Sequence, residues 1–204
     1  MSGNANRPSD DAPTPGPTGA TVLVTGGAGF VGSHLAEALV ADNEVRVLDD
    51  LSSGRRANVP PEATLVEGDV RDPAAVREAA DGVDLVFHEA ALVSVEESVD
   101  APLRSDAVTN DGTLHVLDAA RREDARVVLA SSAAVYGHPE SVPVAEEDAK
   151  TPTSPYGVAK LSADQYARRF HDLYGLETVA LRYFNIYGPG QNPEYGAVVS
   201  VFLD

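Results

Sequence analysis

Short apolar runs alternate along the chain with stretches in which apolar residues recur every three or four positions. Thr21–Thr25 (TVLVT), 44–49 (EVRVLD), 63–68 (ATLVEG), 84–91 (DLVFHEAA), 125–132 (ARVVLASS) and 177–184 (ETVALRYF) are β-branched and aliphatic almost throughout. Continuous rather than alternating apolar character suits strands of a parallel sheet covered on both faces. Between them, Val31, Leu35, Ala38 and Leu39 fall at helical spacing, as do Leu114, Leu117 and Ala120, and Leu161, Tyr166, Phe170 and Leu173. Asp72-Pro73 reads as an N-cap followed by proline at the first helical position. Strand and helix in alternation predict an α/β fold with a doubly wound parallel sheet of six strands.

The first 19 residues, MSGNANRPSDDAPTPGPTG, break this rhythm. They offer almost nothing apolar to bury and are expected to form a disordered tail ahead of a single domain over 20–204. The 204-residue chain carries a formal net charge of -17 and only two lysines, Lys150 and Lys160. Such a surface repels nucleic acid and anionic membranes, and the excess of acids over lysine suggests adaptation to salt. Without cysteine there is no disulfide or thiolate chemistry. No apolar run reaches the ~18 residues of a membrane span, and no signal peptide is evident, so the cytoplasm is the expected location.

The turn after the first strand reads TGGAGFVGSHL. Gly26, Gly29 and Gly32 open a helix directly behind a strand, where glycines let backbone N–H groups approach a pyrophosphate. Asp49 ends the second strand, 20 residues after Gly29. A carboxylate there accepts ribose hydroxyls and repels a 2′-phosphate, which favours NAD over NADP, although Arg55 and Arg56 stand nearby. Further on, SPYGVAK places Tyr156 and Lys160 four residues apart, on one helix face. A tyrosine base working near neutrality needs its pKa lowered by ~3 units, or ~4 kcal/mol. A cation ~4 Å away at an effective dielectric of ~20 supplies about that much, and Lys160 together with the positive nicotinamide of NAD is expected to provide it.

Five segments, TGGAGFVGSH, GDVRD, SSAAVYG, SPYGVAK and LRYFNIYGPGQNP, together resemble the extended short-chain dehydrogenase/reductases. The likeness is to their NAD-dependent epimerase/dehydratase family, nearest to the UDP-glucose 4-epimerase-like nucleotide-sugar epimerases. It implies a Rossmann-type NAD-binding domain followed by the start of a substrate-binding region, with NAD as bound cofactor and a UDP-linked hexose as substrate. A homodimer is left open. Residue by residue, it implies that Phe30 and Val31 follow the glycine turn onto the pyrophosphate. Asp69 and Val70 contact adenine, the backbone at Ala90 and Ala91 lines the cofactor, and Tyr183 and Phe184 lie near the nicotinamide. Ser132, Tyr156 and Lys160 become the catalytic set, Lys160 also bonding the nicotinamide ribose; Ser132, Tyr156 and Asn185 face the sugar nucleotide.

Two departures matter. Where the family often has asparagine three residues before Gly-Thr, this chain has Thr109, with Asn110 next to it; Asn110 is left out of the catalytic set. The resemblance also implies about a hundred further residues, whereas the sequence ends at AVVSVFLD, within an apparent helix. A C-terminal substrate lobe largely missing is therefore expected, with weak NAD binding and essentially no sugar turnover by residues 1–204. Ala133 and Ala134 replace the acids that sugar dehydratases place after the active-site hydroxyl, which argues for epimerisation. Reduction or dehydration with NAD(P), or an inactive NAD-binding fragment, are the alternatives. No metal site is expected, since the five histidines show no ligand spacing.

Overall fold

A computed structural model describes residues 16–191. The expected tail up to residue 15, and the segment from residue 192 onward, lie outside the described residues. Six parallel strands form one sheet: β1 (Thr21–Thr25), β2 (Glu44–Asp49), β3 (Thr64–Glu67), β4 (Leu85–His88), β5 (Arg126–Ser132) and β6 (Thr178–Tyr183), in the order β3-β2-β1-β4-β5-β6. The predicted doubly wound sheet is what the chain forms. Every neighbouring pair is parallel, for example Val24 beside Val47 on one side and Phe87 on the other.

Burial explains the continuous apolar strands. Val22, Leu23 and Val24 are all fully buried, so β1 is covered on both faces. Leu23, Leu48, Val86 and Val127 pack with residues of α2 (Pro73–Ala80) and α5 (Gly112–Arg122). Val22, Val24, Val45 and Val47 pack against Ala36 and Leu39 of α1 (Phe30–Leu39). Leu129 of β5 meets Ala163 and Ala167 of α6 (Pro155–Tyr174). The strand order reverses between β1 and β4, and the crevice left there at the C-terminal strand ends is where ligands of open α/β sheets bind.

The helix signals hold in detail. Asp72 caps α2 by accepting from the Ala74 N–H at 2.8 Å, with Pro73 at the first helical position. Ser154 caps α6 by accepting from Gly157 N–H at 3.1 Å, and the 20-residue helix ends at Gly175 with φ +74. A helical stretch that the sequence pattern did not reveal fills 95–111. It comprises α3 (Val95–Asp100), α4 (Pro102–Asp106) and a π-helical turn (Ala107–Asp111) running into α5. Pro102 interrupts it, and Val95, Val99 and Leu103 face outward, so no inward apolar stripe marks it. This places Thr109 and Asn110 in the widened turn. Asn110 Oδ1 accepts from Ser162 Oγ of α6 at 2.9 Å, a helix-to-helix tie.

Candidate active site

A cleft of about 790 Å³ opens over the C-terminal ends of the strands. Its floor begins with the glycine turn. Gly26 has φ +69, and a Cβ there would meet the Ala90 backbone nitrogen at 2.7 Å. A Cβ on Gly32 would strike the Gly26 carbonyl. Gly29 has only the Gly26 oxygen nearby, at 3.2 Å, and otherwise faces open space. It is the N-cap of α1, which has no side-chain cap and no acid in its first turn. The N–H groups of the first turn thus point unspent into the cleft, as an anionic diphosphate requires.

Asp49 serves that turn before it serves any ligand. Its Oδ2 accepts from Ala28 N–H at 2.9 Å and its Oδ1 from Leu51 N–H at 2.8 Å. Burial pushes its carboxyl up, the two N–H groups draw it back, and Asp50 adds a further push upward. Each oxygen keeps a lone pair for a hydroxyl. The loop after β2 closes over the same turn, Arg55 N–H and Asn58 Nδ2 both donating to Ala28 O, at 3.0 and 2.9 Å. Nothing in the residue types of that loop announced this support. Asp69 is paired with Arg71, whose guanidinium holds its carboxyl below the usual range.

On the far side lie Tyr156, Lys160, Tyr183, Phe184 and Asn185. Gly26, Gly29, Phe30, Val31, Gly32, Asp49, Asp69, Val70, Ala90 and Ala91 line the rest, so one cleft gathers residues from 26 to 185. Ser132 is not part of its lining. It stands at the end of β5, its Oγ accepting from Ala134 N–H at 3.1 Å, and its side chain acts on Tyr156.

Lys160 is 4% exposed. Its Nζ donates to Ala130 O at 2.7 Å and lies 6.0 Å from the centre of the Tyr156 ring. Burial pulls its pKa down to about 8, while Glu89 pulls the other way. The pKa of Tyr156, in the protein alone, is not lowered. Burial pushes it above the ordinary phenol value and only Ser132 draws it back. The ammonium is anchored on Ala130 and too far off to outweigh lost hydration.

Beneath these groups runs a chain of fixed proton directions. Thr113 Oγ1 donates to Thr109 O at 2.5 Å, so it accepts from His88 Nε2–H at 3.0 Å. Nδ1 of His88 then accepts from Thr25 Oγ1 at 2.6 Å, and Thr25 in turn accepts from Ala90 N–H at 3.4 Å. Burial, with a smaller push from Lys160, lowers His88 to about 3, so it stays neutral and orients the Ala90 backbone. A second support joins β5, β6 and α6. Asp164, wholly buried, accepts from Arg182 Nε and Arg168 Nε at 2.9 Å, and Arg182 Nη1 donates to the Tyr136 hydroxyl at 2.7 Å. Tyr136 is packed, at 4% exposed, whereas Tyr187 is 61% exposed. Glu97 lines the cleft paired with Arg104 at 2.6 Å. Glu89 was missed altogether. It lines the cleft and accepts from the Tyr183 hydroxyl at 3.2 Å. Among the described residues no group of acids and histidines is arranged to hold a metal.

The family model described as "NAD dependent epimerase/dehydratase family" matches residues 22–204. The chain belongs to this family. UDP-glucose 4-epimerase of Azospirillum brasilense is 44% identical over 171 residues, 82% of this chain and 49% of that protein. Among solved structures, UDP-N-acetylglucosamine 4-epimerase from Methanobrevibacter ruminantium, in complex with UDP-N-acetylmuramic acid, superposes with a TM-score of 0.87 at 40% identity. That match covers 91% of this chain and 62% of the other. UDP-glucose 4-epimerase of Thermus thermophilus, in complex with NAD, gives a TM-score of 0.84 at 42% identity, covering 89% and 61%. The chain thus spans between 49% and 62% of the length of these relatives. Members of the epimerase/dehydratase family share the fold seen here, and the cleft at its switch point has the shape and donors that a dinucleotide needs.

Proposed function

We propose that the cleft holds NAD and that the whole protein is a nucleotide-sugar 4-epimerase acting on a UDP-linked hexose. The observation that carries this is the meeting of Tyr156 and Lys160 with the open glycine turn and Asp49 in one cleft. Gly26, Gly29 and Gly32, with the N–H groups of Phe30 and Val31, take the diphosphate, and Asp49 the adenosine ribose. Asp69 and Val70 flank the adenine. Ala90 and Ala91 line the middle of the dinucleotide, and Tyr183 and Phe184 the nicotinamide end. NAD, when bound, supplies a hydride acceptor at C4 of the sugar and returns that hydride to the other face of the 4-keto sugar.

The protein's own part is to move a proton and to orient. Tyr156 takes the proton from the C4 hydroxyl, directly or through Ser132, and gives it back. Lys160 keeps two of its three N–H donors free of Ala130 and presents them to ribose hydroxyls. The raised pKa of Tyr156 in the protein alone means that its deprotonation waits for a further positive charge in the cleft. Asn185 faces the sugar nucleotide. Ala133 and Ala134, in a 3-10 turn after Ser132, carry no acid to eliminate water, which favours epimerisation over dehydration.

Val99, Leu103 and Val158 are exposed on α3, α4 and α6, helices that pack on one another, and this supports the reading of a homodimer. The function is tested by incubating a chain carried to the full length of its relatives with UDP-glucose or UDP-N-acetylglucosamine and separating the products. Interconversion at C4 is expected. A 4-keto-6-deoxy product would show dehydration and refute the reading.

A further inference from the structure

Glu89 has no part in the chemistry above, yet among the described residues it is the carboxylate that acts on Lys160. It leaves the end of β4, crosses the end of β5, and is fixed by the Tyr183 hydroxyl of β6 at 3.2 Å. Tyr156, Lys160, Tyr183 and Glu89 line the same part of the cleft. Resting on the reading that this cleft holds NAD, we propose that the Glu89 carboxylate sets the redox poise of the cofactor, favouring the oxidised nicotinamide over the reduced one.

Oxidised nicotinamide is a cation and the reduced ring is neutral, so a fixed anion in the cleft attracts only the first. Burial pushes Glu89 up, but Lys160 and the Tyr183 hydroxyl both favour its ionised form. Glu89 in turn raises Lys160. With the oxidised ring and an ionised Tyr156, the site holds two positive and two negative charges. With the reduced ring and a protonated Tyr156, Lys160 and Glu89 still balance each other. At equal protonation of Tyr156 the oxidised state carries one more positive charge than the reduced state, so removing Glu89 costs the oxidised state more. An anion that disfavours the reduced ring drives the hydride back onto the keto sugar before that sugar escapes.

The test is a pair of affinities measured on the chain, NADH by its fluorescence and NAD by competition with it. In Glu89→Gln, which keeps the shape and the bond from Tyr183, the ratio Kd(NAD)/Kd(NADH) should rise at least about tenfold. Tenfold is the lower end: at an effective dielectric of about 20, one unit charge about 12 Å away gives that factor, and a nearer one gives more. Glu89→Asp retains the charge and should return most of the wild-type ratio. Equal losses of both affinities in Glu89→Gln, or no change in either, would overturn the inference while leaving the cofactor reading intact. If that variant does not fold, Glu89→Ala removes the same charge without placing an amide in the cleft, and an unchanged ratio there overturns it too. A wild-type chain that binds neither cofactor overturns both readings.

Discussion

The Nζ of Lys160 sits 2.7 Å from the carbonyl oxygen of Ala130 and 6.0 Å from the centre of the Tyr156 ring. The protein therefore buries a cation beside its candidate base without lowering that base by itself. Burial is costly to Lys160, whose folded value is about 8 against 10.5. Between these values the unfolded chain holds the proton and the folded chain has released it. Stability should therefore rise as pH increases from about 8, by up to about 1.4 kcal/mol per pH unit. Above about pH 10 the raised values of Tyr156 and Tyr183 act in the opposite sense. In Lys160→Met the rise between pH 8 and 9.5 should vanish, and NAD affinity should fall more than about tenfold. Urea melts across that range, with a cofactor titration, check both.

The glycines of the turn should separate into two kinds. Gly32→Ala puts a Cβ onto the Gly26 carbonyl, and backbone must move. A loss of roughly 1–3 kcal/mol in stability is expected, together with cofactor binding. Gly29→Ala meets only the Gly26 oxygen at 3.2 Å. It should fold within about 1 kcal/mol of wild type and still bind NAD poorly, because its Cβ occupies ligand space. Equal melting points with equal affinities in the two variants would contradict this division.

Asp164 is 0% exposed and its partner Arg182 has a side chain only 8% exposed. Removing one member of such a pair strands the other, so Asp164→Ala should cost roughly 3–5 kcal/mol. Arg168 is 54% exposed, and Arg168→Ala should cost no more than about 1 kcal/mol. Chemical denaturation of the two variants measures the difference.

How far the sequence could be read depended on whether the signal was local. Strand 21–25 and strand 44–49 appear with the bounds their apolar runs suggested, because burial on both faces imposes an uninterrupted pattern. The Asp72 cap with Pro73 behind it was legible as residues at fixed offsets. By contrast 95–111 was not, since its apolar residues face outward and proline splits it. The same boundary divides the site. Gly26, Asp49, Tyr156 and Lys160 sit at motif spacings, whereas Glu89 meets Tyr183 across 94 residues. The His88 chain likewise joins positions 25, 88 and 113, which only the sheet brings together.

The central claim is a cleft built for NAD, with Asp49 reading the adenosine ribose. Its most direct test is calorimetric titration of the chain with NAD and with NADP at high salt. NAD should bind, and NADP should bind at least about tenfold more weakly, because a 2′-phosphate would meet the Asp49 carboxylate. Asp49→Ala should weaken NAD and bring the two affinities together. Tighter binding of NADP by the unaltered chain, or no binding of NAD at all, would contradict the account.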